Sequence, residues 1–121
     1  MLRAIQTSRV LVARDRARVV GTLTLATKKP WAIDTSYFRE VRKALYLLDM
    51  AVDPDVQRKG IGRRLVREAV TVARDWPSDS IRLDAYDADA GAGLFYEKCG
   101  FREVGRVSYR KTPLVYFELL L

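Results

Sequence analysis

The chain has 121 residues, enough for one domain with a real core, and its hydrophobic and charged fractions of 49% and 31% are those of an ordinary soluble globular protein. A single cysteine, Cys99, excludes an internal disulfide framework and makes a reducing cytoplasm the expected setting, while the lack of histidine excludes His-based metal sites and Ser-His or Cys-His catalysis. The net charge of +7 implies an anionic partner without naming it; no apolar run approaches the roughly 20 residues of a membrane span, and the amino terminus lacks the pattern of a secretory signal.

In chain order, Val10 to Ala13 and Val19 to Thr27 read as two strands of a hairpin joined by the charged turn Arg14-Asp15-Arg16. Arg3, Arg9, Arg14, Arg16 and Arg18 crowd this region, either as solvated strand and turn residues or as a surface for nucleic acid or an acidic partner. From Lys28 to Lys43 the pattern is irregular, with Pro30, Trp31, Tyr37 and Phe38 among polar residues, a hydrophobic clasp or the wall of an acceptor pocket. A buried strand follows at Leu47 to Val52, then an acidic turn, Asp53-Pro54-Asp55, and a glycine-containing loop. Ile61, Leu65, Ala69, Val72 and Ala73 then recur at helical spacing, and Pro77 stops that helix. Ile81 to Tyr86 is a strand with Arg82, Asp84 and Tyr86 on its polar face. A second helix is expected over Ala90 to Cys99, with Asp89 as N-cap, Gly100 as the C-terminal glycine and Phe101 as the accompanying apolar contact. Strands at Glu103 to Tyr109 and Leu114 to Leu120 complete the chain.

The loop Gln57-Arg58-Lys59-Gly60-Ile61-Gly62 gives up side chains where backbone amides must approach something closely. The first amides of the following helix lack intrahelical partners, the helix dipole adds partial positive charge, and Arg58, Lys59, Arg63, Arg64 and Arg67 add full charges. These features make an anion site suited to phosphate or pyrophosphate. No Ser or Thr stands where a Walker loop needs one, and a dinucleotide fingerprint would need a third glycine. Ala51-Val52 followed by Gln57 to Gly62 resembles the acyl-coenzyme A loop of the GCN5-related N-acetyltransferase (GNAT) superfamily, a strand ending in "A-V", a turn, then Q/R-x-x-G-x-G/A. The run from Asp84 to Phe101 resembles the second GNAT signature, with Ala92, Tyr96, Glu97, Lys98, Gly100 and Phe101 on its positions and Asp89 where the family usually has Asn.

The resemblance implies an α/β (α+β) fold: a mixed, mostly antiparallel sheet with a splayed strand pair, flanked by two main helices, in a single domain over residues 1–121. It implies acetyl-CoA as co-substrate, an amine acceptor and no metal. The backbone of Met50, Ala51 and Val52 would pair with the pantetheine arm, the amides from Arg58 to Arg63 would hold the pyrophosphate, and Asp89 and Ala92 would complete the coenzyme site. Tyr96 would meet the thioester sulfur and protonate the leaving thiolate, with Asp84 or Asp49 as the candidate base, or ordered water in their place. Cys99 lies on an apolar helical position with no histidine to activate it and reads as a small hydrophobe. The family's initial strand and helices are missing from the pattern, which leaves the acceptor side open, completed by a second subunit, or built from the Lys28 to Lys43 loop; exposed apolar surface favours self-association, so a homodimer is expected. Two other functions compete: an acyl-CoA-binding regulatory domain without turnover, and nucleic-acid binding through the basic surface, for which no stacking platform or recognition-helix pattern is present.

Overall fold

In the computed structural model, which describes residues 7–56, 59–87 and 93–121, the amino-terminal hairpin forms as β1 (Ser8–Asp15) and β2 (Arg18–Ala26). Its ladder runs past the apolar residues because Arg14 and Asp15 pair through their backbones with Val19 and Arg18. The central strand β3 (Ala44–Val52) starts three residues before the expected Leu47 and pairs antiparallel with β2.

That pairing contains a bulge. Thr24 faces Leu48 and Thr22 faces Ala51, so Asp49 and Met50 together oppose Leu23. Asp49 has φ of 52°, a left-handed conformation that Asp tolerates better than most residues. One extra residue flips every later side chain to the opposite face. Met50 and Val52 therefore pack on the same core as Leu45 and Leu47.

Helix α1 (Ile61–Asp75) buries Leu65, Val66, Ala69 and Ala73 against the sheet. It ends at Trp76, whose N–H bonds to the Val72 carbonyl at 2.9 Å, with Pro77 unable to continue it. β4 (Ser80–Tyr86) follows, then helix α2 (Gly93–Lys98), β5 (Arg102–Tyr109) and β6 (Thr112–Leu120). The expected second helix is shortened at its end: Cys99 lies beyond the last helical residue because Gly100, at φ 97°, turns the chain. Phe101 N–H bonds to the Tyr96 carbonyl and Gly100 N–H to that of Glu97, both at 3.0 Å, and the Phe101 and Tyr96 rings meet edge-on at 5.8 Å. This pair of bonds with its apolar contact is a Schellman motif. Residues 90–92 and the expected N-cap Asp89 lie outside the described residues.

The sheet order is β1-β2-β3-β4-β6-β5, antiparallel except where β3 and β4 run parallel. That parallel pairing covers only Ala44 with Ser80, Leu45 with Ile81 and Tyr46 with Arg82. Beyond Tyr46 the two strands diverge: β3 keeps its ladder to β2 and β4 its ladder to β6. The fold is the mixed, mostly antiparallel α/β sheet that the sequence implied.

Both faces are covered. Helices α1 and α2 pack with Leu23, Leu25, Leu45, Leu47, Ile81, Leu83 and Phe117 on one. On the other, segment 28–43 closes over Tyr46 and Tyr116 with buried Ile33 and Phe38. The polar strand residue Arg82 is not solvated, nor paired with Asp84 as its sequence position allowed. It lies 3.4 Å from Glu118, and their side chains are 8% and 2% exposed. Arg82 also donates to the Tyr46 hydroxyl at 3.1 Å and the Arg39 carbonyl at 2.7 Å, and its guanidinium sits over the Phe38 ring. Glu118 accepts from the Arg39 N–H at 3.2 Å. Tyr116 donates to the Ala32 carbonyl and accepts from the Asp34 N–H. A buried charge is tolerated only when paired and hydrogen-bonded. Here the partners include the Arg39 N–H and carbonyl, so the pair also ties the segment in place.

Candidate functional site

The start of α1 is headed by glycine and open at its end. Gly60 is the N-cap at φ 79°, with no side-chain cap bond and no acidic residue in the first turn. The first helical hydrogen bond is Arg64 N–H to Gly60 carbonyl, at 3.1 Å. The amides of Ile61, Gly62 and Arg63 precede it and have no acceptor within the helix. The Lys59 amide differs from expectation, since it donates to the Val56 carbonyl at 3.3 Å. Gln57 and Arg58, also expected here, lie outside the described residues, as does Ala92 on the second motif.

This helix end abuts the mouth of the wedge between β3 and β4. A Cβ on Gly62 would come within 3.1 Å of the Phe95 ring and 3.2 Å of the Met50 methyl, so a larger residue would push these side chains aside where α1, β3 and α2 converge. Met50 in turn meets Tyr96: the hydroxyl lies 3.9 Å from the Met50 sulfur. The Tyr96 ring is buried against Phe95, Phe101 and Phe117. The structure thus brings together Met50, Gly62 and Tyr96 from three separate elements. Phe95 belongs with them; its place beside Tyr96 was the available signal in the sequence.

Burial raises the Tyr96 pKa, with Cys99 and the charge of Asp84 adding to it, so the phenol stays protonated and able to donate at neutral pH. Asp84 is half-buried on β4, and burial also raises its pKa, opposed by its own backbone N–H. This is the direction a general base near neutral pH requires. Asp49, the other candidate, is exposed in the bulge. Ala51 is exposed and Val52 half-buried, and both pair with β2. Cys99 is partly buried in the core; burial pushes its thiol pKa up, away from nucleophilic thiolate, with Arg63 pulling weakly the other way.

Two concavities flank this centre. Between the helices, Arg63, Arg67, Arg74 and Lys98 border a groove of about 260 Å³ floored by Val66, Val70 and Cys99. Arg74 and Lys98 had not been connected with the loop cations, because only the packing of α2 on α1 brings them into register. On the opposite face, Asp84, Tyr86, Tyr109, Thr112, Leu114 and Ala32 surround a cleft of about 380 Å³. Segment 28–43 is therefore chiefly a clasp, and contributes to this cleft through Ala32.

Comparison with known proteins gives this geometry a context. The family model described as an acetyltransferase (GNAT) domain matches residues 6–103. Glucosamine 6-phosphate N-acetyltransferase of Schizosaccharomyces pombe is 32% identical over 87 residues, covering 72% of this chain and 70% of that protein. The chloroplastic GCN5-related N-acetyltransferase 4 of Arabidopsis thaliana is 29% identical over 94 residues, 77% of this chain, but the match spans only 32% of the plant protein. A solved aminoglycoside 6′-N-acetyltransferase complexed with coenzyme A superposes with a TM-score of 0.73 at 16% identity, covering 94% of this chain and 73% of that one.

Proposed function

The chain belongs to the GNAT acetyltransferase family, and from that premise we propose that it transfers an acetyl group from acetyl-CoA to a primary amine of a small molecule or peptide, by direct attack in a ternary complex. The observation that carries the reading is the junction of an uncapped, glycine-headed helix end with the strand wedge at Met50, whose sulfur the Tyr96 hydroxyl meets. Free amides and cations at α1 suit the coenzyme's pyrophosphate. Where β3 diverges from β4 beyond Tyr46, its edge borders the wedge and suits the amides of the pantetheine arm. The coenzyme supplies an activated acyl carbon; the chain's residues align the reactants and move protons.

An alkylamine with a pKa near ~10.4 is mostly charged at neutral pH and must lose a proton before it attacks. Asp84 takes that proton, directly or through water. The new N–C bond forms as the C–S bond breaks, Tyr96 donates its proton to the departing sulfur, and the second proton shed by the acylated nitrogen restores the phenol through water. Alignment of the two substrates contributes a large part of the rate.

Thiol release from acetyl-CoA with a panel of amines tests the reaction; tight coenzyme binding with no amine ever acetylated would leave only a binding domain. Asp84→Asn should lower kcat roughly 100-fold and abolish the acid limb of the pH–rate profile. The same change should raise Tm at neutral pH. A carboxyl whose folded pKa is raised favours folding at low pH, and that stability is lost as pH climbs through the raised value. An amide removes the penalty. An unchanged pH profile would assign the base elsewhere.

A homodimer is part of the proposal. Among the described residues β1 has a strand neighbour on one side only, and Val10 and Val12 are exposed on it. Sedimentation should show a dimer, and a monomer at tens of micromolar would remove this part alone.

A further inference from the structure

The cleft on the second face has a feature that acetyl transfer to a simple amine does not need. β5 and β6 are joined by a two-residue turn, Tyr109 pairing with Thr112 across Arg110 and Lys111. Both turn residues have positive φ, 48° and 69°. Such a turn is ordinarily made of Asn-Gly or similar pairs, because long L side chains strain in the left-handed region. Here two long cations occupy it.

They stand at the end of the Asp84 cleft, whose lining includes Tyr109 and Thr112, the residues on either side of the turn. The Arg110 guanidinium lies over the ring of Tyr109, itself a lining residue of the cleft, 5.3 Å from its centroid. Arg82 and Arg106 are engaged by Glu118, Asp87 and Glu103. Arg110 and Lys111, among the described residues, have no carboxylate partner. The cleft thus has a half-buried carboxylate at one end and aromatic and aliphatic walls, and its other end adjoins a turn bearing two unneutralised cations.

The geometry points to an acceptor that is itself two-ended: a primary amine received by Asp84, and a carboxylate or phosphate received by Arg110 and Lys111. This rests on the acetyltransferase reading and narrows its substrate class. Register gives the length. Asp84 pairs with Tyr116, and Thr112 lies four residues further along β6, roughly 14 Å at strand spacing. The side chains at both ends shorten the span, so that amine and anion stand roughly 10 Å apart. A volume of about 380 Å³ fits a molecule of that length and not a large one.

The test compares matched pairs of amines: triglycine with triglycinamide, and 6-aminohexyl phosphate with 6-amino-1-hexanol. The first pair reports a carboxylate, the second a phosphate. The expected result is kcat/KM roughly tenfold higher for the anionic member of at least one pair, the size of one charge-assisted contact at a partly exposed site. The variant Arg110→Asn/Lys111→Gly installs the residues the turn prefers, so its Tm should rise while the ratio within each pair falls to about one. Equal rates for the members of both pairs in the wild type, or a preference that survives in the variant, would overturn the assignment. Should no compound be acetylated, calorimetry decides separately. Triglycine binding that triglycinamide and the variant lack upholds the cleft and removes the transfer reading; absence of binding, with other amines still acetylated, does the reverse.

Discussion

Tyr96→Phe should lower kcat roughly 100-fold, the contribution typical of a positioned proton donor, while leaving folding and coenzyme binding intact. The phenol hydroxyl makes one weak contact, 3.9 Å to the Met50 sulfur, whereas the ring meets Phe95, Phe101 and Phe117. Phenylalanine keeps all of that packing. The change in unfolding free energy should therefore stay within about 0.5 kcal/mol. Steady-state kinetics beside a denaturant titration separate the two effects. A variant with full kcat would show that Tyr96 is no more than a core aromatic and that the thiolate finds its proton in solvent.

The largest stability effect is expected on the opposite face. Glu118→Leu removes the carboxylate that faces Arg82 and leaves a buried guanidinium without its counter-charge. Breaking such a pair from one side costs about 3–5 kcal/mol. It also strips the Arg39 N–H of its acceptor, so segment 28–43 should become a preferred site for proteolysis. Adding Arg82→Met should recover most of the loss, because a well-packed apolar pair often matches or exceeds the ionic one. A double-mutant cycle by denaturant unfolding measures the coupling. Additive losses in the two single variants would mean that the two charges are not coupled and that the segment is held by Ile33, Phe38 and the Tyr116 hydroxyl instead.

The legible parts of this chain are those where a local pattern has one physical meaning. The apolar stripe of α1 reports its buried face, and Gly100 followed by Phe101 reports a helix end that forms as read. Gly60 and Gly62, ahead of a helix with no acidic first turn, report an open helix terminus. The bulge was hidden, because Leu47 to Val52 reads as one strand whether or not a residue is inserted; the tolerance of Asp49 for positive φ was the only local hint. It matters to the site, since it is what turns Met50 toward Tyr96. Arg82 and Glu118 were hidden for a different reason. Alternation marks them as outward-facing, and only the return of a distant segment makes that outside an inside. The cation pair Arg110-Lys111 drew no reading from the sequence, because its meaning lies in backbone angles and a neighbouring cleft.

The meeting of β3 and β4 over three residue pairs has a mechanical consequence. Two three-stranded leaves, β1-β2-β3 and β4-β6-β5, share a short spine of main-chain bonds. Their cohesion falls mainly on the layers that bridge them, α1 on one side and segment 28–43 on the other. Such an assembly resists shear at its closed end and yields at its open one. A molecule seated in the opening would knit the leaves through its own amides, so that occupancy and rigidity rise together.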